Sequence, residues 1–282
     1  MKRHRMGKLG IAALTPLLVL GIASVPFLHA QSANSDWEKA AGGKMSFDVV
    51  SIRLNTSGNS ARPNFPLDNS DVYSPNGGLL SATDFPVRAY ITFAYKMSLG
   101  QQLFLAPQLP KWASQDKFDI QARAAAANPT KDQMRLMMQS LLADRFKLTV
   151  HWEKKDMPVY TLAVASGGFK LKFSDPQYPA TNSSSVVCPV DDAACRRMIV
   201  GSIPVADFAG YLGAMVGRPV INKTGLTGTY DMNLMWSSDT APNSSLPSLP
   251  TALRDQFGLE LKSEKASVDV LMIDHLEEPS PN

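Results

Sequence analysis

Between Thr130 and Val164 the spacing of apolar residues changes once. Met134, Met137, Met138, Leu141 and Leu142 recur at helical intervals, behind a Thr130 N-cap and with Asp132 in the first turn. Leu148, Val150 and Trp152 then alternate with Lys147, Thr149 and His151, the two-residue period of a half-buried strand. Glu153-Lys154-Lys155-Asp156 reads as a charged turn, and Val159 to Val164 as a second strand. The methionines read as core, with a groove beside Lys111-Trp112 as the alternative.

The same helix–strand–strand pattern returns near the C-terminus: helix Leu249 to Phe257, strand Leu259 to Lys265, strand Val268 to Asp274. Phe146 and Phe257 close the two helices, and Glu153-Lys154 matches Glu264-Lys265. Upstream, Phe85-Pro86-Val87 opens a helix through Tyr95 as Ile203-Pro204-Val205 opens one through Val216. Lys117 to Ala122 matches Thr229 to Leu234, so Asp119 and Asp231 share a position. Four ordered matches, offset by about 110 to 120 residues, predict two copies of one module. The predicted class is α+β: two tandem β-α-β-β-α-β-β repeats over 76–166 and 197–278, each with two helices on small sheets.

An extra strand, Ser46 to Leu54, is expected in the segment 31–75, ahead of a polar loop from Asn55 to Pro75. Asp84 is the expected N-cap of the first repeat's first helix. Leu103-Phe104-Leu105 is expected as a short strand, and Leu109 to Trp112 as a constrained connection. Residues 167–196 read as a linker and 279–282 as a tail.

Composition changes this picture at the N-terminus. Lys2, Arg3, Arg5 and Lys8 precede an apolar run from Leu9 to Leu28 that ends in Leu28-His29-Ala30, the layout of a signal peptide over 1–30. The alternative is an uncleaved membrane anchor; either places the rest of the chain outside the cytoplasm, periplasmic or secreted. Of 28 basic residues four lie in this segment, leaving 24 against 25 acidic ones, a net charge of −1. That balance gives no nucleic-acid footprint. No later stretch is long and apolar enough to span a membrane. Cys188 and Cys195 form a close even pair, which in an oxidising compartment reads as a local disulfide.

Two resemblances follow. The element order is similar to that of the small periplasmic domains at the N-termini of secretins and TonB-dependent receptors, which implies protein binding through sheet edges. Phe47 to Arg53, Lys117 to Ile120, Gln133 to Met137, Leu141 to Leu148, Gly217 to Val220, Lys223 to Asp231 and Val270 to His275 look like motifs of a secreted, soil-associated bacterial family of unknown function. That family is similar to domains attached to membrane-embedded sensor metallopeptidases of the antibiotic-sensing kind. The resemblance implies no catalytic residues.

Chemistry is sparse. Beyond residue 30 only His151 and His275 remain, far apart in sequence and without metal-ligand spacing. Asn222-Lys223-Thr224-Gly225-Leu226-Thr227-Gly228 lacks P-loop spacing and reads as a turn. Asp119 and Asp231 read as structural. The expectation is an exported, non-enzymatic binding or sensing module without cofactor, metal or catalytic set, taking an envelope protein or glycan. Its candidate binding surface is Trp112, His151, Trp152, Lys223 and His275. Strand addition beside Val159 to Val164 or Val268 to Asp274 is the most concrete mechanism. The alternative is a secreted hydrolase or glycan-processing enzyme with His151 or His275 as general base.

Overall fold

A computed structural model of the chain describes residues 36–175, 188, 194–238 and 244–279. These fall in one unit, Ser32–Asn282. The expected leader and most of the expected disulfide loop lie outside the described residues.

In the first half, short helix α1 (Asp36–Ala40) precedes strands β1 (Val49–Asn55), β2 (Arg62–Pro63) and β3 (Leu79–Pro86). Helices α2 (Val87–Ala94), α3 (Leu99–Leu105) and α4 (Lys111–Gln115) lead to β4 (Lys117–Arg123), α5 (Lys131–Arg145) and β5 (Thr149–Val164). The second half holds β6 (Lys172–Phe173), β7 (Cys195–Pro204), α6 (Val205–Val216), β8 (Val220–Asn222) and β9 (Thr229–Ser237). Helix α7 (Leu249–Ala252), continued by a π-helical turn to Phe257, and β10 (Leu259–His275) complete it. Three sheets result, ordered β1-β4-β3-β2, β10-β5-β8 and β6-β9-β7. The α+β class stands.

The halves solve one backbone problem twice. β3 pairs antiparallel with β4, but Thr83 and Asp84 together oppose Asp119, a bulge that carries the chain into α2. β7 pairs with β9 in the same way, with Gly201 and Ser202 opposite Asp231. Asp84 and Ser202 both adopt left-handed backbone, φ 65° and 52°. A bulge frees an N–H that needs an acceptor. Asp119 Oδ1 accepts from the Asp84 N–H and Asp231 Oδ1 from the Ser202 N–H, each at 2.9 Å. Each carboxylate also takes a side-chain donor from the adjacent edge, Asn55 Nδ2 in one case and Ser174 Oγ in the other, each at 2.7 Å. The two aspartates are therefore structural clamps. The expected N-terminal strand is β1, which flanks β4 as β6 flanks β9.

The C-terminal strand pairs differ from expectation. The charged stretch Glu153 to Asp156 makes no turn, and β5 and β10 are single strands of 16 and 17 residues paired along their length. The offset that relates Glu153 to Glu264 also relates Asp156 to Ser267, and those two residues pair with each other. The ribbon thus has an approximate two-fold axis at its middle. Its ends serve different cores. Val150, Trp152, Leu271 and Ile273 pack with Phe118, Met134, Met138, Phe146 and the rest of the first core. Leu162, Val164, Leu259 and Leu261 pack with Phe208, Leu212, Tyr230 and the rest of the second. Ion pairs such as Lys154–Asp269, 3.0 Å, decorate its middle. Exposed pairs contribute about 0–1 kcal/mol, whereas each fully buried leucine contributes about 1.5–3 kcal/mol, so the apolar ends hold the ribbon.

Leu103 to Leu105 is helical, the end of α3, and Lys111-Trp112 opens α4, so the first half runs β-α-α-α-β-α-β and the second β-α-β-β-α-β. The reason is visible at the ribbon's edge. β8 pairs in parallel with Tyr160, Thr161 and Leu162. At the corresponding β10 positions a side chain replaces a strand: Gln108 Nε2 donates to the Leu271 carbonyl, 3.0 Å, and Gln108 Oε1 accepts from the Ile273 N–H, 3.0 Å. A primary amide offers the donor and acceptor that a strand would, so the segment is free to be helical. Part of each edge proposed for strand addition is thereby covered, at Tyr160–Leu162 on β5 and at Leu271 and Ile273 on β10. Ser98 and Gln101 form the capping box that starts α3. Asp84 is not an N-cap: Pro86 holds that position, and Asp84 sits in the bulge. Met134, Met137 and Met138 are buried core residues.

Replacing Asp119 or Asp231 with Ala should cost about 1–3 kcal/mol by urea denaturation, because each strands a bulge N–H, while Asp119→Asn should cost less. Gly258 and Lys147 share a left-handed position after their helices, φ 66° and 53°, but only at Gly258 would a Cβ collide with a backbone carbonyl, that of Gly168. Gly258→Ala should therefore destabilise by roughly 2–4 kcal/mol, while Lys147→Gly should be neutral or stabilising.

Candidate functional site

Helix α5 buries two cations. Arg135 is fully buried and only 1% of the Lys131 side chain is exposed. One turn apart on a helix, they share a face, and the loop Asn64–Ser74 lies over them. Arg135 Nη1 donates to Asp132 and, at 2.9 Å, to Asp71; Nη2 donates to the carbonyls of Ser70, 2.6 Å, and Asp68, 3.2 Å. Its guanidinium carbon lies 5.7 Å from the centre of the Phe93 ring. Lys131 Nζ donates to Asp68 Oδ1, 2.6 Å, and Lys96 Nζ lies 2.7 Å from Asp71. Burial opposes ionisation of Asp68, but hydrogen bonds from Lys131 and Ser70 prevail and hold its carboxyl below the usual range. Asp71 behaves likewise, with Lys96 and Arg135 outweighing its burial.

The pinned loop is one wall of a cavity of about 870 Å³. The opposite wall comes from the second half: the bulge at Ser202, then Ile203 and Pro204, the first turns of α6 with Asp207 and Tyr211, and Thr229. Ser98 and Leu99 complete the lining. α3 and α6 meet nearby at glycine, with Leu99 Cβ 3.4 Å from where a Gly210 side chain would begin. Asp207 differs from the other acids of the cavity: among the described residues no cation pairs with it. Burial raises its pKa and Asp68 raises it further. Burial and the same two carboxylates raise that of Tyr211. A second cavity of about 590 Å³ is lined by Arg53, Arg62, Asp84 and Asp119, all from the first half. There Asp84 Oδ1 is buried without a hydrogen bond.

The sequence-derived surface residues are dispersed. Trp112, on α4, packs edge-on against Phe118, and Trp152 packs against the first core. His151 Nδ1 lies 2.9 Å from both Asp274 oxygens on the exposed face of the ribbon. Among the described residues no hydroxyl or thiol bonds to that imidazole. His275 lies two residues from its partner Glu277, 2.7 Å. Lys223 reaches Glu264, 2.9 Å, three residues from the ribbon's middle, and its hydrogen bond, with that of Thr161, holds the Glu264 carboxyl below the usual range. None of the five lines the 870 Å³ cavity. Cys188 and Cys195 form the expected disulfide. Among the described residues no group of three or more His, Cys, Asp or Glu side chains could hold a metal, and no helix could cross a membrane.

The cavity lies apart from every sequence-derived candidate residue. A signal was present: Lys131 and Arg135 one helical turn apart, with Asp68 and Asp71 in a loop otherwise read as polar filler. Residues 88–276 match a family described as "Protein of unknown function (DUF3738)". The chain belongs to this family. No curated protein and no solved structure matches it. Family membership thus supplies no chemistry, and the residues of this DUF3738 protein must be read from their surroundings.

Asp68 and Asp71 have folded pKa values below their ordinary 3.8, so their stabilisation is complete above about pH 4 and is lost as pH falls through the lower folded values. Arg135→Met should cost roughly 2–4 kcal/mol at pH 7 and less at pH 3, read by urea denaturation. Asp207 carries the opposite sign, since its penalty is present when ionised and disappears on protonation. Asp207→Asn should raise stability at pH 7 by at most about 1 kcal/mol, given solvent screening, with the gain gone at pH 3.

Proposed function

We propose that this protein is an exported, non-enzymatic binding or sensing module, built from two copies of one unit, whose ligand occupies the cavity between loop Asn64–Ser74 and helix α6. The carrying observation is that this cavity of about 870 Å³ draws its walls from both halves and is framed by a buried Arg135–Lys131 latch. Its volume is that of a small-molecule or side-chain pocket, and its lining mixes hydroxyl, amide, carboxylate and tyrosine groups. An extracytoplasmic setting is supported by the leader-like N-terminus and by the disulfide. The ligand class is an envelope glycan or protein segment.

A second reading, a hydrolase, is favoured only by the His151–Asp274 contact. That pair supplies a base and its orienting acid but lacks a bonded nucleophile among the described residues, so binding ranks first.

Ser74 lines the cavity and is exposed, so Ser74→Trp fills the space without entering a core. Soluble cell-wall glycan fragments and envelope peptides should shift cavity amides in the NMR spectrum of the full chain and not in that of Ser74→Trp. Equal shifts in both proteins, or none in either, would refute the assignment.

A further inference from the structure

The cavity's charges are arranged asymmetrically. Three carboxylates line it, Asp68, Asp71 and Asp207, and no Lys, Arg or His does. The first two pair with cations that do not line the cavity, Asp68 with Lys131 and Asp71 with Arg135 and Lys96. Asp207 faces them from the other half and is the lining acid left without a cation among the described residues. Ionising a carboxylate that is part-removed from water and feels the charge of a second carboxylate is unfavourable, and an incoming cation relieves that cost. Tyr73 and Tyr211 add aromatic surface to the same lining, which suits the methylenes and the positive end of an alkylammonium.

From this we infer that the cavity recognises an alkylammonium group, with Asp207 as its counter-ion and Tyr73 and Tyr211 against its carbon stem. The inference rests on the binding assignment above and narrows it to ligands bearing a free amine, such as a lysine side chain or an unacetylated amino sugar. A neutral glycan would use the hydroxyls and amides alone. A divalent metal would need a denser ligand set than the cavity offers.

The test is NMR titration of the full chain with Nα-acetyl-lysine methylamide, glucosamine, N-acetylglucosamine and calcium chloride. The expected result is that at least one of the two amines shifts cavity amides. Its affinity should fall about tenfold or more in Asp207→Asn and decline with added salt. The tighter of the two amines identifies the source of the group. Stronger binding of N-acetylglucosamine or calcium than of either amine, or amine binding unaffected by Asp207→Asn, would overturn the amine assignment while leaving the cavity as a binding site. No cavity shift with any probe, together with no difference between wild type and Ser74→Trp toward envelope material, would remove both.

Discussion

The antiparallel pairing of β5 with β10 is the constraint on which the rest depends. Each strand begins in the core of its own half and ends in the core of the other, so neither half can bury its apolar residues alone. Cutting the ribbon at its middle would expose Leu271 and Ile273 at one end and Leu162 and Val164 at the other. The two cores are coupled by backbone hydrogen bonds rather than by a flexible linker. The cavity between loop Asn64–Ser74 and α6 inherits its shape from that coupling.

The latch around Arg135 has a different physical character. A buried guanidinium is costly unless nearly every N–H finds an acceptor, and here the acceptors come from two carboxylates and two main-chain carbonyls. Satisfying Arg135 therefore dictates the path of the loop from Asp68 to Ser70. Three acids of the network, Asp68, Asp71 and Asp132, pair with cations from α5 and with Lys96, just after α2. Asp207, contributed by α6 from the other half, is outside the network. The contrast within one cavity is between acids paired with cations and one that, among the described residues, pairs with none.

Many residues in the motifs that first pointed to a family have structural duties. Asp119 and Asp231 clamp bulges, Phe118, Phe146 and Tyr230 fill cores, Arg135 pins a loop, and Gly217 supplies a left-handed helix end. Arg218 lies over the Tyr160 ring, 5.6 Å from its centre. The cavity is lined largely by other residues, among them Asp68, Tyr73, Asp207 and Tyr211.

Local pattern determined much of this protein. Helix α5 with its Thr130 cap, the strands around Phe118 and Tyr230, the α6 boundaries and the disulfide partners were all legible, because periodicity, capping and cysteine spacing act over a few residues. The matched segments of the two halves were legible for the same reason. Only tertiary structure decided that Glu153 to Asp156 continues a strand, since charged residues suit an exposed ribbon as well as a turn once a partner strand is present. It also decided that Leu103 to Leu105 is helical, because Gln108, distant in sequence from Leu271 and Ile273, supplies the edge hydrogen bonds that a strand would have made. The cavity belongs to the same class. Asp68 and Asp207 are chemically ordinary in sequence, and their different environments arise only when the two halves fold against one ribbon.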